Sequence, residues 1–321
     1  MIWTGPGALL GAPNYPQRTQ TLELKQGWNA VFLEVEPLDT APSRLFAETP
    51  IDVAAQYTTT ERRGQFATDP QKILANDDGW SVWYGPEREE SFLSGLHALH
   101  SHNAFLLHSR ENFVWRVTGQ VFLKRIIWKS DSYNLVGFPV NSAAAPTFGE
   151  YFRGIPAHEG RPAFRLVDGR WRKVDNPDMT PMRRGEAYWI YSSGGSNYQG
   201  PSEVRLQFWD HLRYGPGRYN GRLILSNRSP NPAKLTIQRE GTGGMPLDFV
   251  FRGVLEQEVQ SFTTPLPEVY SMPVMEAGVE GAVTLRIRAN ADIAQGSSGL
   301  LRIRSDAGTE YWVALYAEAE G

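Results

Sequence analysis

One pattern of residues occurs twice in the first two-thirds of the chain. Residues 27–33 read GWNAVFL and residues 133–138 read YNLVGF, and each segment leads to a valine and then to a turn containing proline. Two asparagines, Asn29 and Asn134, set the register between them. A repeat of this kind predicts two copies of one structural unit, because the same pattern forms the same elements in each copy.

A second pair of matching segments closes the two copies. Residues 96–107 and 179–190 share the spacing of two large apolar residues, an alanine and an apolar run, which aligns Ala104 with Ala187. The first copy is longer between its matched segments. We therefore expect an insertion there, a polar loop within residues 52–78.

Each copy is expected to be a small β-module. Its apolar, β-branched and aromatic runs are typical of strands, and a short helix is predicted after the first strand, at residues 43–48 and 148–153. The Asp-Gly dipeptide at 168–169 predicts a tight hairpin turn in the second copy. Apolar residues at helical spacing within 89–100 favour a further short helix in the first copy alone, because Pro181 opposes one in the second.

A run rich in serine and glycine at residues 192–197 marks the end of the repeat. Beyond it, short segments alternate apolar and polar residues, which predicts an immunoglobulin-like β-sandwich of about seven strands without a disulfide. The segments expected as strands are residues 204–208, 221–225, 234–238, 282–288, 300–304 and 311–316.

The expected fold class is therefore all-β, mainly β with short helices. We divide the chain into an N-terminal extension (residues 1–20), two repeated β-modules (21–120 and 121–200) and the immunoglobulin-like β-sandwich (201–321).

The two motifs together resemble a module of large exported and surface multidomain proteins of bacteria. The pattern is G-W-N-x-V followed by a closing G-x-A-Y-W-I, and the second copy carries the closing motif best, at residues 185–190. In those proteins the module often stands beside immunoglobulin-like domains. The resemblance covers residues 21–192 and implies an extracellular or cell-envelope location without known catalytic residues.

Composition excludes several classes of protein. The 321 residues include no cysteine, which rules out disulfides, thiolate zinc sites and a cysteine nucleophile. A net charge of −3 gives no attraction to nucleic acid, and no apolar run is long enough to span a membrane. Because the N-terminus does not read as a leader, we expect a cytoplasmic protein, one whose leader was removed, or a piece of a longer chain.

Three histidines, His97, His100 and His102, lie close together in the sequence with acidic residues nearby. Imidazoles at this spacing can hold zinc when a further ligand converges on them. The alternative is a polar turn before the closing strand, with His102 in solvent. The second copy has no histidine at the matching positions, so the fold itself does not require them.

Tryptophan is frequent, with ten residues in the chain. Exposed indole faces can stack on sugar rings, and Trp80, Trp83 and Trp171 are candidates for such platforms, together with Trp3 and Trp209. The alternative assigns most of them to the cores of the small modules, where short strands need large side chains to fill the interior.

The tetrapeptide Leu-Arg-Ile-Arg occurs at residues 285–288 and again at 301–304. Its arginines would point away from the core if both segments are strands. Were the two strands neighbours, the four guanidinium groups would share one face and favour an anionic partner, an acidic glycan or a protein. Acidic residues of the chain itself, such as Glu280 or Glu310, are the alternative. The arginines concerned are Arg286, Arg288, Arg302 and Arg304.

These patterns together predict a non-enzymatic structural or interaction protein. The sequence has no nucleophile elbow, phosphate-binding loop or zinc-protease motif, and no cofactor is expected. We expect a protein partner, within a larger assembly or a longer parent chain, at a bacterial surface or envelope. The alternatives are a carbohydrate-binding accessory module and, less favoured, a polysaccharide-active hydrolase.

Overall fold

A computed structural model describes residues 15–58, 70, 79–208, 210–215, 219–241, 245–255, 258–288 and 297–318. Five sheets account for most of these residues, and the described helical segments are short. The prediction of an all-β fold is confirmed.

The described residues between 15 and 120 form two sheets. Their strands are β1 (Gln17–Leu24), β2 (Gly27–Leu33), β3 (Glu36–Pro37), β4 (Ile51–Tyr57), β5 (Trp80–Tyr84), β6 (Asn103–Ser109) and β7 (Phe113–Gln120). A four-stranded antiparallel sheet has the order β2-β6-β4-β5, and a three-stranded sheet has the order β1-β7-β3. We call this unit module 1.

The structure describes two short helical segments within module 1, a helix and a 3-10 turn. The helix α1 (Pro42–Leu45) follows β3, with proline at its start. A single 3-10 turn, Glu89–Leu93, is all that forms of the helix expected over residues 89–100. Strand β1 begins at Gln17, so the predicted boundary at residue 20 between an N-terminal extension and the module falls inside a strand.

The next unit, module 2, repeats the four-stranded sheet. Its strands are β8 (Ser132–Gly137), β9 (Ala163–Val167), β10 (Arg170–Lys173) and β11 (Ala187–Ser192). Their order is β8-β11-β9-β10, so in both modules the first strand pairs with the last, and the last pairs with the second. The helix α2 (Phe148–Phe152) follows the first strand, and Thr147 and Glu150 form a capping box at its start.

Strand pairing places the matched residues of the repeat at the same positions. Asn29 lies opposite Leu107, three residues after Ala104, and Asn134 lies opposite Ile190, three residues after Ala187. A slip of one residue in either copy would turn its apolar side chains to the opposite face. The two modules therefore share register as well as strand order, as the repeat predicts.

The repeated asparagine fixes the start of the first strand in each module. The amide oxygen of Asn29 accepts a hydrogen bond from the Lys25 backbone N–H at 2.9 Å, and its amide nitrogen donates to the carbonyls of Lys25 and Gly27. Asn134 makes the same three kinds of bond, to Lys129 and Ser132. An amide is suited to this position because it both donates and accepts.

The connection between the second and third strands differs between the modules. In module 2 the predicted turn joins β9 to β10 directly, with both residues in the left-handed region, Asp168 at φ 48° and Gly169 at φ 71°. In module 1, β4 already occupies residues 51–57. The predicted insertion therefore lies between β4 and β5, where most residues fall outside the described part of the chain.

The two four-stranded sheets pack against each other through equivalent faces. Matched positions such as Ala30 and Leu135, or Leu106 and Trp189, belong to one shared apolar core. The opposite face of each sheet has a core of its own, and these two cores also contain matched residues, such as Phe46 and Tyr151. Modules 1 and 2 thus form a sandwich of two copies of the same sheet.

The remaining residues form a second sandwich of two five-stranded sheets. Its strands are β12 (Ser202–Leu206), β13 (Leu212–Tyr214), β14 (Asn220–Asn227), β15 (Leu235–Glu240), β16 (Leu247–Leu255), β17 (Glu258–Pro265), β18 (Val269–Ser271), β19 (Glu280–Ile287), β20 (Ser298–Ser305) and β21 (Glu310–Ala317). The sheet orders are β12-β14-β19-β16-β17 and β13-β21-β20-β15-β18. Each of the six segments expected as strands overlaps a strand, although 204–208 is a strand only to residue 206, and β13, β16, β17 and β18 were missed.

Candidate functional site

A half-buried arginine joins all three units of the protein through buried carboxylates. Arg184 lies in the loop before β11 of module 2, and its guanidinium group donates to Glu34 of module 1, with Nη2–Oε2 at 2.7 Å and Nε–Oε1 at 2.9 Å. The same group donates through Nη1 to Glu310 of the C-terminal sandwich. The carboxyl side chains are only 7% and 3% exposed. We call this cluster the joint.

The charges in the joint compensate one another. Burial alone would raise the pKa of Glu34, but the charges of Arg184 and Arg18 outweigh it and hold that pKa below its ordinary value. The pKa of Glu310 is lowered in the same way, against burial, by Arg184 and Arg304. Both carboxylates therefore stay ionised at neutral pH, and removing Arg184 would leave two buried charges short of a partner.

Close backbone contact accompanies the ion pairs. The Phe32 N–H of module 1 donates to the Gly185 carbonyl of module 2 at 2.7 Å. A Cβ atom at Gly137 would lie 2.1 Å from the Phe32 side chain. Only glycine allows this approach at residue 137, so Phe32 and Gly137 form a ridge and a notch between the modules.

The three candidate metal-binding histidines occupy different surroundings. His97 is exposed, and His100 Nδ1 lies 2.6 Å from Glu36 Oε1. His102 packs edge-on against the ring of Phe32, with centroids 5.9 Å apart, and its Nδ1 is shielded from solvent. The alternative that placed His102 in solvent is therefore only partly right, because the side chain is half-buried. In the described part of the chain no group of three or more His, Asp or Glu side chains could hold a metal ion.

His102 occupies the position that glycine holds in the other module. It lies two residues before Ala104, as Gly185 lies two residues before Ala187. Both residues are in the left-handed region, His102 at φ 61° and Gly185 at φ 76°. The conformation is easy for glycine and strained for histidine.

The tryptophans proposed as sugar-stacking platforms lie mainly in the cores. Trp83 and Trp171 are each 8% exposed, Trp83 in the outer core of module 1 and Trp171 in the core shared by the modules. That prediction is wrong for these two, because core side chains cover their faces. Trp80 is half-buried against the shared core, and Trp3 and Trp209 lie outside the described residues.

The predicted single arginine face does not form. Strand β19 belongs to one sheet of the C-terminal sandwich and β20 to the other, so their arginines lie on opposite sides of the domain. Similar sequences in two strands do not determine which sheet each strand joins, and here the strands are not neighbours.

Three of the four arginines pair with acidic residues of the chain itself. Arg288 Nε donates to Asp248 at 2.9 Å, and Arg304 Nε donates to Glu310 at 2.8 Å. Arg302 pairs with Glu240. Arg286 Nε donates to a backbone carbonyl, that of Ile287, at 3.4 Å. The alternative in which the chain neutralises its own arginines, with Glu310 as one of the partners, is thus the better description.

Sequence reasoning missed the joint. Arg184 directly precedes the closing motif of module 2, but its partners Glu34 and Glu310 are 150 and 126 residues away in sequence. No local pattern links the three.

Comparisons with known proteins give only weak likenesses. No family model matches the chain, and no curated protein matches it. The YadV chaperone structure shares 11% identity over 38% of this chain and 53% of its own, with TM-score 0.26. The periplasmic chaperone SfaE shares 13% identity over 37% and 59%, with TM-score 0.23.

A Salmonella α-2-macroglobulin structure matches over more of the chain. It shares 11% identity over 97% of this chain and 24% of its own, with TM-score 0.22. The chain thus spans little more than half the length of the two chaperones and about a quarter of the macroglobulin. Scores this low do not assign the chain to any of these families. Among the described residues, no helix is long and apolar enough to cross a bilayer.

Proposed function

We propose that the protein is a non-enzymatic structural and interaction protein in which three β-units act as one rigid body within a larger assembly. The resemblance of the repeat to modules of bacterial surface proteins supports an envelope or extracellular setting for that assembly. No observation on the tryptophans or arginines favours a carbohydrate-binding function over this one.

The joint is the observation that carries the proposal. Contacts between independent domains of one chain are usually small and polar, and relative motion is the normal expectation. Here Arg184 binds carboxylates of two other units in buried surroundings, and the modules also share one apolar core. An arrangement of this kind resists bending between units, which suits a load-bearing or spacing role.

Cooperative unfolding tests the rigid body. We expect the wild-type chain to unfold in one calorimetric transition, and the variant Arg184→Met to unfold in two, because Glu34 and Glu310 lose their shared partner. Removing one member of a buried ion pair costs about 3–5 kcal/mol. Arg183→Met is the matched control, since Arg183 is mostly exposed and pairs with the nearby Glu186. Two transitions in the wild-type chain would contradict the proposal.

A further inference from the structure

His102 has a left-handed backbone conformation, which is uncommon for residues other than glycine. A β-module of this kind has glycine at the matching position, Gly185, and the backbone there is left-handed in both copies. Histidine in that conformation costs free energy that glycine would not, and such strain persists only where the surroundings hold it in place. Module 1 nevertheless has a half-buried imidazole there, with its Nδ1 shielded from solvent.

Residues from all three units line one cavity with this imidazole. His102 contacts Phe32, which fits against Gly137 of module 2. His102 also lines a cavity of about 50 Å³ that is bounded by Pro139 of module 2 and Trp312 of the C-terminal sandwich. Its Nδ1 is buried without a hydrogen-bond partner among the described residues. In the protonated ring, Nδ1 carries a hydrogen that has no acceptor among the described residues in the present arrangement.

Charged groups of several elements lie around His102, and Glu310 of β21 lines the same cavity. Lys124 approaches from the segment that links the modules, Glu36 from β3, Glu34 from the residue after β2, and Arg18 from β1. The two carboxylates are already engaged, Glu34 by Arg18 and Arg184, and Glu36 by His100, Ser101 and Lys124. A protonated His102 would therefore add a positive charge close to Lys124 and Arg18. Neither Glu34 nor Glu36 is free to pair with it.

We propose that His102 makes the joint acid-sensitive: protonation of its imidazole releases the C-terminal sandwich from its contacts with modules 1 and 2, which stay together through their shared core. The buried ion pairs hold the joint closed while the ring is neutral.

The direction of the pH dependence follows from the surroundings of the ring. Burial, and then Lys124, lower the pKa of His102 from 6.5 to about 4 in the closed joint. An open joint exposes the ring, whose pKa returns towards 6.5. The open form therefore binds a proton that the closed form rejects, so closure weakens as the pH falls below about 6.5 and the loss is complete below about 4.

The carboxylates of the joint do not oppose this effect. The pKa values of Glu34, Glu36 and Glu310 are all lowered in the closed form, so these groups stay ionised across most of the range in which His102 responds. A second imidazole with a lowered pKa, His158, lies within module 2 and near the segment that leads to the C-terminal sandwich. It needs its own control.

A distance measurement between units tests the proposal. Because the chain has no cysteine, Arg116→Cys in β7 and Ala282→Cys in β19 allow two fluorophores to be attached at exposed positions for energy transfer. We expect the distance to increase between pH 6.5 and 4 while far-ultraviolet circular dichroism stays native. Over that range the opening equilibrium should change on the order of 100-fold, from a ten-fold change per pH unit of difference.

Two substitutions separate the imidazole from its neighbours. His102→Gly restores the residue found in module 2, and His102→Asn keeps a polar side chain that tolerates the left-handed region but cannot be protonated here. In both variants, we expect the pH midpoint of joint opening to fall by at least one unit. His97→Gly and His158→Gln should follow the wild-type curve. An unchanged midpoint in both His102 variants, or loss of secondary structure before any increase in distance, would overturn the proposal.

Discussion

The four-stranded sheets of modules 1 and 2 are alike, but different residues pack on their outer faces. Strand order and register agree between them. On its outer face, module 1 packs side chains of β1 and β7, such as Leu22 and Trp115, whereas module 2 packs Trp128 and Tyr198 from irregular segments. A few residues that fix the first and last strands are thus enough to specify the sheet, and the layer that covers it is free to differ.

The largest loss of stability is expected at the pair of matched positions that differs most in side-chain size. Phe32 and Gly137 are equivalent in the two copies, and they contact each other. Phe32→Ala should destabilise the protein by about 3–5 kcal/mol through lost burial. Gly137→Ala should cost about 1–3 kcal/mol through overpacking, measured by chemical unfolding.

A double substitution sharpens this test. In the Phe32→Ala background, Gly137→Ala should cost much less than it does alone, because the ring that its Cβ would strike is gone. Additive effects would mean that Phe32 and Gly137 do not form the ridge and notch seen here. Gly95→Ala measures the cost of losing a glycine at a site with an ordinary backbone conformation and no neighbour within 4 Å of the added Cβ.

Substituting the repeated asparagines should destabilise the protein less, and by different amounts in the two modules. Asn134 is 4% exposed and Asn29 is partly exposed, although both make the same three kinds of hydrogen bond. Asn134→Ala should cost about 2–3 kcal/mol and Asn29→Ala about 1 kcal/mol, since an unsatisfied buried backbone group is more expensive than one that water can reach. Equal costs would show that burial does not distinguish the two copies.

The helix caps should give the smallest effect. The helix α2 has a complete capping box, whereas Ala41 before α1 provides no side-chain cap. Thr147→Ser keeps the hydroxyl group and should be nearly neutral, while Thr147→Ala should lower the free energy of unfolding by about 1 kcal/mol. A loss of the same size with serine would assign the effect to the methyl group of Thr147.

What could be predicted from sequence was local or repeated. The repeat gave matching strands because the apolar pattern and the asparagine act over a few residues. Strands β13 and β18 were not predicted because three residues carry little periodicity. Strand β17 was not predicted because Glu258–Pro265 is largely polar. The joint was invisible because Arg184 meets partners that the folded sheets, rather than any spacing in the chain, bring to it.

The two arginine-containing segments show the same limit of prediction from local sequence. Two identical tetrapeptides suggested neighbouring strands, yet β19 and β20 lie in different sheets. Alternation reports which side of a strand faces the core, and it does so correctly here, since Leu285 and Leu301 are both fully buried. It does not report which strand is adjacent, because that depends on the path of the chain between them.

The contact between Phe32 and Gly137 has a consequence for how the two copies evolved. In a symmetric dimer of identical chains, one gene sets the residue on both sides of the interface, so a large residue would meet a large residue at equivalent positions. A ridge on one copy and a notch on the other can arise only after the copies have separate codons. Joining them in one polypeptide also makes their association independent of protein concentration, which allows each copy to specialise without losing its partner.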